Sequence, residues 1–128
     1  MIMNHQIYME EIVLDTIKDE LGEDKIIWYK EEQTRLVGNT YKETDYFLTD
    51  NYIIQAKIMA DKLFLKKYNR SAIKRVEKEF DIKGNNVILK NVEIYFANDK
   101  DEERLFLGRP NESNNGEPKE FEKFAKNL

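Results

Sequence analysis

The chain contains no cysteine, and this removes more chemistry than any other fact of its composition. A disulfide framework, a thiolate metal site and a cysteine nucleophile are all excluded. Histidine is nearly absent too: the single one is His5, beside the N-terminus. A Ser-His-acid arrangement is therefore not expected, and neither paired histidines nor a calcium-binding loop is present. The five glycines are scattered and form no phosphate-cradling or dinucleotide pattern. No stretch approaches the roughly 20 apolar residues of a membrane span. Met1-Ile2-Met3-Asn4-His5 lacks the basic start of an export signal. The expectation is a cytoplasmic chain with no transmembrane segment, no cofactor, no metal and no enzymatic activity.

What the sequence does contain is aromatic bulk and charge. Seven Phe, seven Tyr and one Trp are spread over 128 residues, enough for one closed core. Charged residues make up 36%, above the usual quarter, so the surface is densely charged. The net charge of −4 is unevenly distributed. Residues 1–43 hold five basic and ten acidic side chains, residues 44–80 eight and five, and residues 81–128 eight and ten. Only the middle segment is cationic. An acidic chain of this kind is not expected to bind nucleic acid, which needs clustered Lys and Arg on the phosphates. The richness in Lys, Asn, Ile and Glu suggests an AT-rich genome, such as that of a low-GC bacterium or its phage.

The hydrophobic period changes twice. Over Asn4–Leu21 it is helical, with Ile7, Tyr8, Ile12, Leu14, Ile17 and Leu21 on one face, widened by Met9 and Val13. Asn4 suits the N-cap and Gly22 the stop. From residue 24 the period is that of strands. Lys25–Lys30 is the first, and the polar residues 31–43, with Gly38-Asn39 as a turn signal, are expected to be a long loop. Tyr46–Thr49, Asp50-Asn51 and Tyr52–Met59 form the strongest hairpin signal, because Asp and Asn tolerate left-handed backbone. Lys62–Tyr68 returns after a turn at Ala60-Asp61. Ile73–Ile82 is expected to be a fifth strand with Ala72, Val76, Phe80 and Ile82 on one face and Ile73 on the other. Val87–Ala97 is a sixth, with Ile88, Val92, Ile94 and Phe96 facing one way and Lys90 breaking the pattern at a bulge or a strand end. Arg104–Gly108 is a seventh. After a polar loop over 109–116, Pro118 opens a helix whose stripe is Phe121, Phe124, Ala125 and Leu128. Two units follow: an N-terminal helix over 1–23 and a mainly β body over 24–128.

Seven strands followed by a closing helix resemble the pleckstrin-homology-like (PH-like) domains of bacteria. The resemblance rests on Tyr46-Phe47-Leu48-Thr49-Asp50-Asn51-Tyr52-Ile53-Ile54, on Ala72-Ile73-Lys74-Arg75-Val76-Glu77, and on the Phe121, Phe124, Ala125 helix. It covers residues 24–128. It implies a seven-stranded antiparallel split barrel capped by its C-terminal helix, and a binding module in place of an enzyme. Some members of that family self-assemble, so a homo-oligomer is among its implications.

Two groups of residues are candidates for binding. Lys57, Lys62, Lys66, Lys67, Arg70, Lys74, Arg75 and Lys78 lie along the cationic segment. Converging ammonium and guanidinium groups hold phosphate through charge-assisted bonds. The spacing Lys62-x-x-x-Lys66-Lys67-x-x-Arg70 resembles that by which some PH domains grip phosphoinositide head groups. Strand alternation, however, sends Lys66 and Lys67 to opposite faces. The second group, Tyr8, Ile12, Trp28 and Tyr29, fits a protein partner, since Trp and Tyr often anchor interfaces; the structural alternative is that the N-terminal helix packs on the body of the domain and Trp28 fills the barrel or supports that helix. The adjacent carboxylates Glu10-Glu11, Glu31-Glu32 and Glu102-Glu103 read as ordinary solvated charge. The expected function is protein interaction, as a small regulator or inhibitor. The alternative is binding of an anionic ligand or membrane surface through the basic segment.

Overall fold

The structure is a computed structural model that describes residues 15–16, 18–19, 26–35, 41–60, 62–97 and 103–128. Within it the chain is mainly β, in two antiparallel sheets and one C-terminal helix. The first sheet runs in the order β1 (Ile27–Arg35), β2 (Tyr41–Leu48), β3 (Tyr52–Met59), β4 (Lys62–Asn69). A single 3-10 turn, Arg70–Ala72, leads into the second sheet: β5 (Ile73–Lys83), β6 (Asn86–Phe96) and β7 (Glu103–Gly108). Helix α1 spans Pro118–Lys126. The two sheets are not closed into one barrel, because no ladder joins β4 to β5 or β7 to β1. No N-terminal helix stands as an element among the described residues. Of the expected Asn4–Leu21 helix only Asp15, Thr16, Lys18 and Asp19 are described, with helical backbone; the rest lies outside them.

Residues 31–35 and 41–43 are strand, not the expected loop. Their polarity misleads, because a ladder is made by backbone groups whatever the side chains are. Glu32 pairs with Thr44, Gln33 with Glu43, and Thr34 with Lys42. The register shifts between Lys30 and Glu32, so Glu31 is a bulge. The bulge is clamped from outside. The Glu117 N–H donates to the Lys30 carbonyl at 2.9 Å, and the Lys30 N–H donates to the Glu117 carboxylate at 2.9 Å. Asn115, held at φ 60°, donates its side-chain amide to the Gln33 carbonyl at 3.1 Å. Gly116 allows this approach: a Cβ there would lie 2.7 Å from the Glu31 carbonyl oxygen and 2.6 Å from the Pro110 Cβ. Gly116→Ala is therefore expected to cost about 1–3 kcal/mol, the usual range for overpacking. Chemical denaturation would measure it, and a loss below that range would count against the clamp.

Two irregularities in the second sheet re-aim side chains. One lies between Ile73 and Arg75, and it brings Ile73, expected on the far face, against the core. The other pairs Glu79 with Asn91 but Phe80 with Leu89, leaving Lys90 as the extra residue. Of the two alternatives expected at Lys90, the bulge is thus present. Its consequence was not foreseen: Leu89, and not Ile88, turns inward and is buried.

The core lies between the sheets and beneath the helix. Tyr29, Tyr46, Leu48, Ile53 and Tyr68 face Val92, Ile94, Phe96, Leu105 and Leu107, with Phe121, Phe124 and Ala125 from α1. Tyr29 is its hub, with ring centroids 5.0 Å from Phe124, 5.4 Å from Phe121 and 5.2 Å from Tyr46. Pro118 opens the helix, and Lys123 and Lys126 in its last turn suit the negative end of its dipole. Lys78 donates to the Ala125 carbonyl at 3.0 Å, and Arg70 joins the Thr49 and Asn127 carbonyls at 2.7 and 2.8 Å. The Asp50-Asn51 turn forms as expected, but neither residue needs positive φ; Ala60, in the next hairpin, takes φ 58°.

Candidate functional site

The structure disperses the basic segment. Lys66 lies on the inward face of β4, paired with Glu103 at 3.2 Å, with its ammonium 5.1 Å from the Tyr68 ring centroid. Lys67 lies on the opposite face, 4.6 Å from the Tyr52 ring centroid. Arg70 is occupied as the clamp between Thr49 and Asn127. Arg75 stands on the other sheet, 3.8 Å over the Tyr95 ring and 3.4 Å from Glu77. Lys57 and Lys62 remain near the β3–β4 turn. The six residues share no single face, so they do not converge as one phosphate grip.

The partner candidates separate as well. Tyr29 is fully buried and presents no surface. Trp28 faces the other way, stacked on Phe47 with ring centroids 5.5 Å apart. Tyr8 and Ile12 lie outside the described residues.

Next to the bulge the inward face of the first sheet opens into a recess of about 290 Å³, lined by Glu31, Thr44, Tyr46, Lys57, Met59 and Phe64 among others. Burial raises the Glu31 carboxyl above its ordinary range, although the Tyr46 hydroxyl and the Lys57 ammonium favour its charged form. Tyr46 in turn accepts a hydrogen bond from Gln55 at 2.9 Å. The recess brings two acids, Glu31 and Glu32, and two bases, Lys42 and Lys57, to an open mouth. Among the described residues no group of three or more His, Asp or Glu is placed to hold a metal ion.

The exposed apolar side chains form the more distinctive surface. On the second sheet Val92 pairs with Leu107, and the inward row continues through Phe80–Leu89 to Ile82–Val87. Leu89 is buried, yet Phe80, Ile82 and Val87 are 50%, 78% and 64% exposed. The hairpin therefore carries its apolar face beyond the core, up to the turn at Gly84-Asn85. Met59 and Phe64 are exposed near the end of the β3–β4 hairpin on the face that carries Lys57, Lys62 and Lys66, and Leu65 is exposed on the opposite face with Lys67. The strand pattern groups Phe80 and Ile82 on one face with Ala72 and Val76, and does not include Val87 in the inward row of the sixth strand. Alternation tells which face a residue shares, not how far the opposing sheet extends. The adjacent Gly84-Asn85-Asn86 turn was the available signal, since strands outrun their cover near hairpin ends.

No known protein family, curated protein or solved structure matches this chain.

Proposed function

We propose that this chain is a non-catalytic protein-interaction module of PH-like architecture, a small regulator or inhibitor that acts by occupying a partner. The strand order of four and three with a C-terminal helix fits that architecture. The observation that carries the functional reading is the apolar end of the β5–β6 hairpin. Three large side chains at half exposure or more, on two paired positions, are surface that water disfavours and a partner would cover. Fold alone names no partner. The test is capture from native lysate by the intact chain, followed by the double variant Ile82→Asp, Val87→Asp. The wild type should retain a stoichiometric partner, and the variant should retain at least tenfold less. Surface changes of this sort ordinarily alter stability by no more than about 0.5 kcal/mol. A monodisperse wild type that recovers nothing would contradict the reading.

A second reading has its own observation. Met59 and Phe64 beside Lys57, Lys62 and Lys66 on one face of a hairpin suit an anionic membrane surface, where apolar insertion and lysine charge act together. Co-sedimentation with phosphatidylserine vesicles decides it. Binding at low salt that is lost in Lys57→Glu, Lys62→Glu supports this reading; no binding at low salt removes it.

A further inference from the structure

Among the described residues, β4 pairs with β3 alone, so its other side is an open sheet edge. Open edges are ordinarily blunted by a proline, a bulge, short length or charge. Over its eight residues β4 has no proline, and its register with β3 runs from Met59↔Lys62 to Tyr52↔Asn69 without a shift. Only lysine guards it. Lys62, Lys66 and Lys67 stand beside exposed apolar side chains, Phe64 at 56% and Leu65 at 38%. Three lysines repel a second copy of the same edge and attract a strand of opposite charge. The direction of the backbone groups follows from the hairpin. The Arg70 N–H donates to the Asn51 carbonyl at 2.9 Å, one position beyond the pair Tyr52↔Asn69. Hydrogen-bonded and non-bonded pairs alternate along an antiparallel ladder. Tyr68, Lys66, Phe64 and Lys62 therefore turn their backbone groups to β3, and Lys67, Leu65 and Leu63 turn theirs to the edge.

We propose that the β4 edge is a docking site for an extended acidic segment of a partner protein, which adds to the first sheet as a further strand. In strand addition, main-chain bonds give affinity and alternate side chains give specificity. Here the main-chain bonds go to Leu63, Leu65 and Lys67. Side chains of β4 alternate between faces: Lys62, Phe64 and Lys66 lie on the face of Gln55 and Lys57, and Leu63, Leu65 and Lys67 on the face of Ile54, Ala56 and Ile58. The added strand therefore carries carboxylates on the side of Lys62 and Lys66 and apolar residues on the side of Leu63 and Leu65. Lys66 already meets one carboxylate, that of Glu103, at 3.2 Å. The edge belongs to the first sheet, apart from the β5–β6 hairpin end, so the inference is independent of the partner reading above.

The probe is a short peptide of alternating Glu and Val with blocked ends. Added to the full isotope-labelled chain at low salt, it should slow amide exchange several-fold at Leu63, Leu65 and Lys67. Phe64 and Lys66, whose amides already face β3, should change little. The same peptide with Lys in place of Glu should not bind. Lys62→Glu with Lys66→Glu should weaken binding of the acidic peptide roughly tenfold or more, because like charges then face each other. Leu65→Pro removes one edge-facing N–H, a change that edge strands tolerate, and should weaken binding as well. If the proline variant fails to fold, the lysine variant decides. Equal binding of the two peptides, undiminished binding by the lysine variant, or protection that does not alternate along β4 would overturn the proposal. So would no binding at millimolar peptide. Phosphatidylserine vesicles held equally by the wild type and Leu65→Pro, with no peptide bound, would also overturn it and put a membrane on this face instead.

Discussion

Replacing Phe121 with alanine is expected to destabilise the domain by about 3–5 kcal/mol, the range for removing a fully buried aromatic ring. Phe121 is 0% exposed and meets the Tyr29 ring edge-on at 5.4 Å. Loss of that ring opens a cavity under the helix at the one place where β1 and α1 meet through aromatic contacts. Small domains have only about 5–15 kcal/mol in total, so this variant should be at the edge of folding. Deletion of residues 118–128 should unfold the chain, since it removes Phe124 and the carbonyls that receive Lys78 and Arg70 as well. Phe106→Ala is the control: its ring is 53% exposed, so its expected cost is within about 0.5 kcal/mol. Urea unfolding of the three proteins gives the comparison. Equal losses for Phe121→Ala and Phe106→Ala would contradict the placement of the core.

Stability should also fall as pH rises across the neutral range, and Asp45 should be a principal cause. Burial, reinforced by the neighbouring Glu43 carboxyl, pushes the Asp45 pKa from 3.8 up to about 10, against the pull of the Lys30 ammonium. The folded chain therefore keeps this proton up to about pH 10, whereas the unfolded chain releases it near pH 3.8. Between those values the unfolded state binds fewer protons than the folded state, so stability decreases with each rise in pH and levels off above the folded value. Among the described residues, the charged and polar groups around Asp45 are Lys30 on β1, Glu43 on β2 and the Trp28 indole; Ala56 faces it from β3. Among the described residues, one Asp45 carboxyl oxygen has no hydrogen-bond partner, and neither does the Trp28 indole N–H. Asp45→Asn replaces an acid that must stay neutral with a side chain that is always neutral. At pH 8 it should gain on the order of 1–3 kcal/mol, the ordinary cost of a poorly satisfied buried polar group. The gain should shrink towards pH 5. Thermal unfolding of both proteins from pH 5 to pH 9 measures it, and parallel profiles would show that Asp45 does not titrate in this way.

Element type was legible in the sequence wherever apolar residues recur at a clear period. Phe121, Phe124 and Ala125 announce a helix, and Tyr52–Met59 announces a strand, because each must turn an apolar face to the core. The period is silent where burial is polar. Glu43 is buried within the polar run 31–43, with Lys30, Thr44 and Asp45 buried beside it, so polarity there signalled a loop where β1 and β2 pair. Bulges were the other loss. Each inserts one residue, and every side chain beyond it changes face, as Leu89 and Ile88 show. Site legibility failed for a different reason. The basic residues between Lys57 and Arg75 are close in sequence, but strand alternation and the corner at Arg70–Ala72 divide them among faces and sheets. Exposure of Phe80, Ile82 and Val87 is a property of what lies opposite, and no local pattern encodes it.

The partner reading comes down to where contact is made. Backbone amide shifts of the isotope-labelled chain, followed as the captured protein is titrated in, answer this residue by residue. The largest changes should cluster on residues 80–88, at the free end of the β5–β6 hairpin, with the Lys62–Lys67 strand little affected. Changes centred on Lys66 and Lys67, with residues 80–88 unmoved, would contradict the assignment of that hairpin end as the binding surface.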